Sequence, residues 1–265
     1  MFLPSTHANP LGAYLSPASG ARTALLLIDI QRGLNTSNGY FGTERSTPDF
    51  EENITSLLAA CRGYNKTRIG TSESREPKAS SQDTAANGDT HGNEADESSR
   101  GPFPIEIVHV YHSSTNPLSP LHASGTTQKD GILFMPCAAP LSSSSSSSGQ
   151  IEHVLSKSTN TAFGNAALQP ILERSRIAQL VVVGIATDHC VSTSVRWAKD
   201  LGIVKEQGQQ KEGKQGKIVI VSDATACFSK GGFDAETVQK VHLASLEGEF
   251  AKVMSTSDVL AQLFG

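Results

Sequence analysis

Leu180–Asp200 reads LVVVGIATDHCVSTSVRWAKD. It opens with an apolar, mostly β-branched run, Leu180 to Val183, which predicts a strand buried on both faces. Gly184 ends the run, and Ile185–His189 leads into Cys190. From there Val191, Val195, Trp197, Ala198 and Leu201 fall close to helical spacing, and Gly202 supplies a C-terminal stop. Cys190 therefore sits where a parallel strand turns into a helix. That is the crevice at the carboxyl ends of the strands, where open α/β sheets bind ligands. A helix start also favours a thiolate. An isolated free cysteine is more often a packed core residue. The strand–helix junction, and two further strand ends, point to a nucleophile instead.

The first of those strand ends is in Thr23–Ile30, TALLLIDI, a nearly all-apolar run typical of a central parallel strand. Asp29 stands at its end. A carboxylate after five apolar residues is costly to bury without a partner, so it reads as a site acid rather than a solvated cap. The second is Ile151–Ser156, IEHVLS, with Lys157 at its end and the polar turn Ser158–Asn165 beyond. Further strands are predicted at Ile105–Tyr111, Lys217–Val221 and Phe250–Met254. Helices are predicted at Pro48–Arg62, Leu168–Arg176, Ala235–Leu246 and Ser257–Phe264. Strands beginning at Thr23, Ile105, Ile151, Leu180, Lys217 and Phe250 make about six. Their alternation with helices predicts an α/β fold, a parallel sheet covered on both faces. Right-handed crossovers place every strand's carboxyl end on one edge, so Asp29, Lys157 and Cys190 converge there.

The 265 residues suit one domain, with an irregular arm at 1–20 and low-complexity insertions at 63–104, 141–150 and 205–216. The formal charge of −4 favours neither nucleic acid nor an anionic membrane as a partner. Four dispersed cysteines, Cys61, Cys137, Cys190 and Cys227, form no C-x-x-C pair, which argues against a disulfide framework or a zinc site. The start lacks the pattern of a signal peptide, and no apolar run is long enough for a membrane helix. A soluble protein of a reducing, cytoplasmic compartment is expected. No G-x-G-x-x-G follows the first strand and no G-x-S-x-G is present, against a dinucleotide site and a serine hydrolase.

Asp29 in LLLIDIQ, Lys157 in VLSKSTNTAF and Cys190 in VVVGIATDHCV resemble the Asp–Lys–Cys triad of isochorismatase-like cysteine hydrolases, over Thr23 to about Leu263 less the insertions. That superfamily includes nicotinamidases, carbamoylsarcosine-type amidohydrolases and isochorismatases. The resemblance implies a three-layer α/β/α sandwich of Rossmann-like form with six parallel strands. It implies a non-proline cis peptide at Ile185–Ala186, with the N–H groups of Ala186 and Cys190 forming an oxyanion hole. It implies hydrolysis of a small amide or carbamoyl C–N bond through a thioester on Cys190, and a homo-oligomer acting on a small molecule without a cofactor. Gln31, His112 and Phe163 are candidate substrate-binding residues. Phe41 is a further pocket candidate, whereas Trp197 reads as core.

Nicotinamidases carry a metal-binding D-x-H after the second strand. Here that region reads VYHSST, Val110–Thr115, with no Asp before His112, and no metal is expected. His112 and His122 are then loop or pocket residues. The cysteine favours C–N hydrolysis over the acid-catalysed vinyl ether hydrolysis of isochorismate, which is the alternative activity. A catalytically idle binding module of the same fold is the non-enzymatic alternative. A fast, pH-dependent thiol would separate the enzyme from the idle scaffold.

Overall fold

The computed structural model describes residues 12–36, 39–72, 103–125, 129–141, 152–206 and 214–265. Six parallel strands form one sheet: β1 (Thr23–Ile28), β2 (Glu106–His112), β3 (Glu152–Lys157), β4 (Gln179–Ile185), β5 (Lys217–Ala226) and β6 (Lys252–Met254). Their spatial order is β3-β2-β1-β4-β5-β6. The helices are α1 (Arg32–Thr36), α2 (Phe50–Ser72), α3 (Leu168–Arg174), α4 (Ser192–Asp200), α5 (Ala235–Leu246) and α6 (Thr256–Phe264). Strands β2 and β6 begin one and two residues later than the sequence suggests, and Ile151, the expected start of β3, lies outside the described residues.

Every residue of β1 and β4 is buried, as continuous apolar runs require at the centre of a parallel sheet. Alternation along β1 splits the core into two layers. Leu25 and Leu27 join Phe50, Ile54, Leu57 and Leu58 of α2 and Val259 and Leu263 of α6. Ala24, Leu26 and Ile28 join Leu168 and Leu172 of α3 and Val195 of α4 on the opposite face. These are the three layers expected from the sequence. The order reverses between β1 and β4, so the ligand crevice of such a sheet opens at the carboxyl ends of these two strands.

Gly184 fixes how closely those strands approach. It pairs with Ile28 and has φ of 132°. A Cβ placed there would lie 2.0 Å from the Ile28 carbonyl oxygen. Only glycine fits that backbone at that distance.

The insertion expected from residue 63 begins later, because α2 runs on to Ser72. Its second half is polar, yet Asn65 is buried and its carboxamide pairs with both backbone groups of Ile105, tying α2 to the entry of β2. Residues 73–102, which hold most of that insertion, lie outside the described residues, as do 142–150 and 207–213 of the other two. The stem of the third is closed by an antiparallel bridge between Lys205 and Gln215. Of the arm, residues 1–11 also lie outside. The remainder is irregular but packed: Leu15 and Ala18 are buried, and Gln179 accepts from Ser16 N and donates to its carbonyl.

Candidate active site

Three strand ends bring Asp29, Lys157 and Cys190 together. Asp29 follows β1 in a left-handed conformation, φ 53°, with its N–H donated to Val110 of β2 at 2.8 Å. Lys157 is the last residue of β3, in register with His112 of β2. Cys190 lies in a π-helical turn, Thr187–Val191, between β4 and α4. The peptide bond Ile185–Ala186 before this turn is cis, and the Ala186 carbonyl accepts from His189 N and Val191 N.

The centre of the site is the Lys157 ammonium. Nζ lies 2.7 Å from Asp29 Oδ2, 3.0 Å from the Thr159 carbonyl, 3.3 Å from His112 Nδ1 and 3.3 Å from Cys190 Sγ. The Lys157 side chain is fully shielded from solvent and that of Asp29 nearly so. Because the ammonium can only donate, His112 Nδ1 must accept, which places the imidazole proton on Nε2. Burial, reinforced by the Lys157 charge, lowers the His112 pKa, so the ring is neutral at pH 7. Asp29 Oδ1 is buried without a hydrogen-bond partner among the described residues.

The electrostatics revise one expectation. Burial, then the Asp29 charge, push the Cys190 thiol up to about 12, against the pull of Lys157. The resting group is therefore the thiol, not the thiolate expected at a helix start. Desolvation and a neighbouring carboxylate outweigh dipole and ammonium. Burial also raises the Asp29 carboxyl, despite Lys157.

The other predicted residues divide. Gln31 is completely buried, and its carboxamide is taken up by backbone: Nε2 donates to the His112 and Ile132 carbonyls, and Oε1 accepts from His112 N. It positions His112 rather than presenting a free amide to a substrate. Phe163, in the 3-10 turn Ala162–Gly164, is partly buried against the α3/α4 layer. His122 closes its own turn, its Nδ1 accepting from Ser124 N at 3.1 Å. Phe41 stacks on Phe228 beside the β5–α5 connection. Trp197 is 46% exposed, so its reading as core is corrected: it lies on the outer face of α4.

Sequence reasoning missed two supports. Ser194 Oγ donates to the Cys190 carbonyl at 2.6 Å and accepts from Ala162 N at 2.8 Å, joining the nucleophile turn to the Phe163 turn. A serine four residues after the cysteine, on the buried face of its helix, was the available signal. Asp188 Oδ2 accepts from Lys230 Nζ at 2.6 Å and from His189 Nδ1 at 2.9 Å. Although burial opposes ionisation, these hydrogen bonds hold the Asp188 carboxyl well below the usual carboxylate range. The turn is thereby tied to the loop before α5.

The sequence shows no metal-binding motif at His112, but the fold gathers three potential donors there. Asp29, His112 and Cys190 each offer one donor atom, all within 4.8 Å of one another. Strand ends bring together residues that no sequence motif spaces.

The parallel α/β sheet with this strand order is shared with solved structures. An isochorismatase-family protein from Chromobacterium violaceum superimposes with a TM-score of 0.65 at 24% identity, over 95% of this chain and 98% of its own. A cysteine hydrolase from Pseudomonas syringae pv. phaseolicola gives 0.60 at 18% identity, over 96% and 97%. At these identities the superpositions establish the fold. The sequence matches the Isochorismatase domain over residues 23–258. The chain belongs to the isochorismatase family. Its curated relatives include the uncharacterized isochorismatase family protein YrdC of Bacillus subtilis, 26% identical over 58% of this chain and 72% of that protein. Another is the secreted isochorismatase effector Isc1 of Verticillium dahliae, 28% identical over 58% and 67%. Among the described residues, no helix is long and apolar enough to cross a membrane.

Proposed function

We propose that the protein hydrolyses a small amide or carbamoyl C–N bond, with Cys190 as nucleophile, Asp29 as proton carrier and Lys157 as the cation joining them. The observation that carries this reading is the single ammonium within hydrogen-bond reach of both Asp29 and Cys190. The thiol of the free site is protonated, so its proton leaves as sulfur attacks the carbonyl. Asp29 is suited to take it, because burial raises its carboxyl and narrows the gap to the thiol. The N–H groups of Ala186 and Cys190 then hold the oxyanion. Asp29 returns the proton to the leaving nitrogen, the C–N bond breaks, and ammonia or an amine departs from a Cys190 thioester. Water attacks the thioester, giving a proton to Asp29. The C–S bond breaks and the proton returns to sulfur. Lys157 keeps its charge throughout and offsets Asp29 or the departing thiolate.

The test is Cys190→Ala and Cys190→Ser, screened with wild type against nicotinamide, carbamoyl amino acids, ureido acids, biuret and isochorismate. Hydrolysis of one C–N substrate should vanish in both variants while circular dichroism is unchanged. Retained C–N hydrolysis in Cys190→Ala would end the thioester reading. The raised carboxyl of Asp29 also suits a general acid, which supports the isochorismate alternative. In that case vinyl ether hydrolysis survives Cys190→Ala and is lost in Asp29→Asn.

A further inference from the structure

The Lys157 ammonium fills the middle of a cage whose walls are one carboxylate oxygen, one imidazole nitrogen, one sulfur and one backbone carbonyl. The three side-chain donors converge closely enough to serve a single ion. Two of the three are presented with little freedom. The backbone of His112 is clamped on both sides by Gln31, and the turn carrying Cys190 is held by Ser194. His112 Nδ1, the atom turned toward the cage, already acts as an acceptor. It can bind a cation without a change of tautomer.

An oxygen, nitrogen and sulfur donor set suits zinc or another borderline-soft divalent ion. It does not suit magnesium or calcium, which seek oxygen ligands. We propose that Asp29, His112 and Cys190 form an inhibitory binding site for a borderline-soft dication, which competes with the Lys157 ammonium for these three atoms. The balance is direct. The thiol proton and one ammonium proton pass to solvent, two positive charges replace two, and the net charge of the buried cluster is unchanged. Binding would engage the nucleophile and the proton carrier together, so turnover would stop.

Binding itself does not require the proposed hydrolysis; only the inhibitory effect rests on that reading. Cadmium chloride titrated into the full chain without substrate gives the first readout, the ultraviolet thiolate-to-metal band. The expected result is saturation near one equivalent, absence of the band in Cys190→Ser, and no competition from excess magnesium. His112→Gln should weaken binding at least about tenfold, since a lost ligand costs no less than a lost supporting contact. Lys157→Met, which empties the cage of its competing cation, should tighten it. A wild type with no band, a band that persists in Cys190→Ser, or unchanged affinity in His112→Gln would overturn the proposal. The last result would mean binding by the thiol alone. If Lys157→Met does not fold, the His112→Gln comparison decides by itself. Zinc should also inhibit turnover, with activity restored by EDTA. A His112-dependent band without any hydrolysed substrate would sink the hydrolase reading and leave the metal site. Cys190-dependent hydrolysis without a band would do the reverse.

Discussion

Lys157→Met keeps the length and most of the packing of the side chain but removes its charge. In the wild type Nζ lies 3.3 Å from Cys190 Sγ. At an effective dielectric of about 20, that cation stabilises a thiolate by about 5 kcal/mol at most, equivalent to between three and four pKa units. A second effect opposes the first. Without Lys157, the buried Asp29 loses its counterion and takes up a proton, because burial already raises its carboxyl. Its repulsion of the thiolate then disappears. With Sγ no more than 4.8 Å from a carboxylate oxygen, that relief is worth at least roughly 3.5 kcal/mol on the same scale. The net penalty on the thiolate is thus at most roughly 1.5 kcal/mol, or about tenfold, once Asp29 is protonated, and up to about 5 kcal/mol, or a few thousandfold, where Asp29 stays ionised. Turnover should fall further than labelling, because a protonated Asp29 cannot accept the thiol proton. The assay is iodoacetamide labelling of Cys190, followed by mass spectrometry from pH 7 to 10, beside steady-state hydrolysis. Wild-type labelling should be slow at pH 7 and keep rising with pH, as a thiol held near 12 requires. The fast thiol expected from the helix start thus no longer separates an enzyme from an idle scaffold, and the pH dependence and turnover must do so. Turnover as fast in Lys157→Met as in wild type, with circular dichroism unchanged, would refute this electrostatic account. Such a result would make Lys157 a packing residue.

Gly184→Ala should destabilise the fold by at least about 3 kcal/mol or prevent soluble expression, through its left-handed φ and the Ile28 carbonyl 2.0 Å from the new Cβ; chemical denaturation measures this. Glu152, fully shielded, accepts from both Arg62 Nε and Nη2 and from Leu141 N, and contacts His109 Nε2. Although burial disfavours its charge, these partners bring its carboxyl from an ordinary 4.5 down to about 2. Its depressed pKa contributes on the order of 3 kcal/mol of stability, present above about pH 4.5 and lost as pH falls toward 2. Glu152→Gln should remove much of that at pH 7 and flatten the acid limb of the stability–pH curve; an unchanged limb would show that other carboxylates set it. Gln31→Leu strands buried backbone partners at His112 and Ile132 and should cost on the order of 2–4 kcal/mol by urea unfolding. Wild-type stability in that variant would contradict the clamp assigned to Gln31.

The sequence by itself determined the sheet and its site edge. TALLLIDI and LVVVGI are apolar along their whole length because strands covered on both faces have no solvent side to mark. In a parallel sheet every such strand ends on the same rim, so Asp29, Lys157 and Cys190 could be placed together without knowing their distances. The tertiary structure alone decided everything that depends on a neighbour. The polar second half of α2 gave no apolar stripe to read, since its buried anchor is Asn65, held by hydrogen bonds rather than by hydrophobicity. Gln31 resembled a pocket residue until the loop carrying Ile132 and the end of β2 closed on its carboxamide. His112 joined the cluster only through its register with Lys157 across β2 and β3. The protonation of Cys190 could not be read from the helix start that follows it. It is set by the depth of burial and the nearby Asp29 carboxylate, and both come from strands distant in the chain. Local spacing encodes which residues reach the rim, whereas charge state and hydrogen-bond partners are properties of the enclosed space they share.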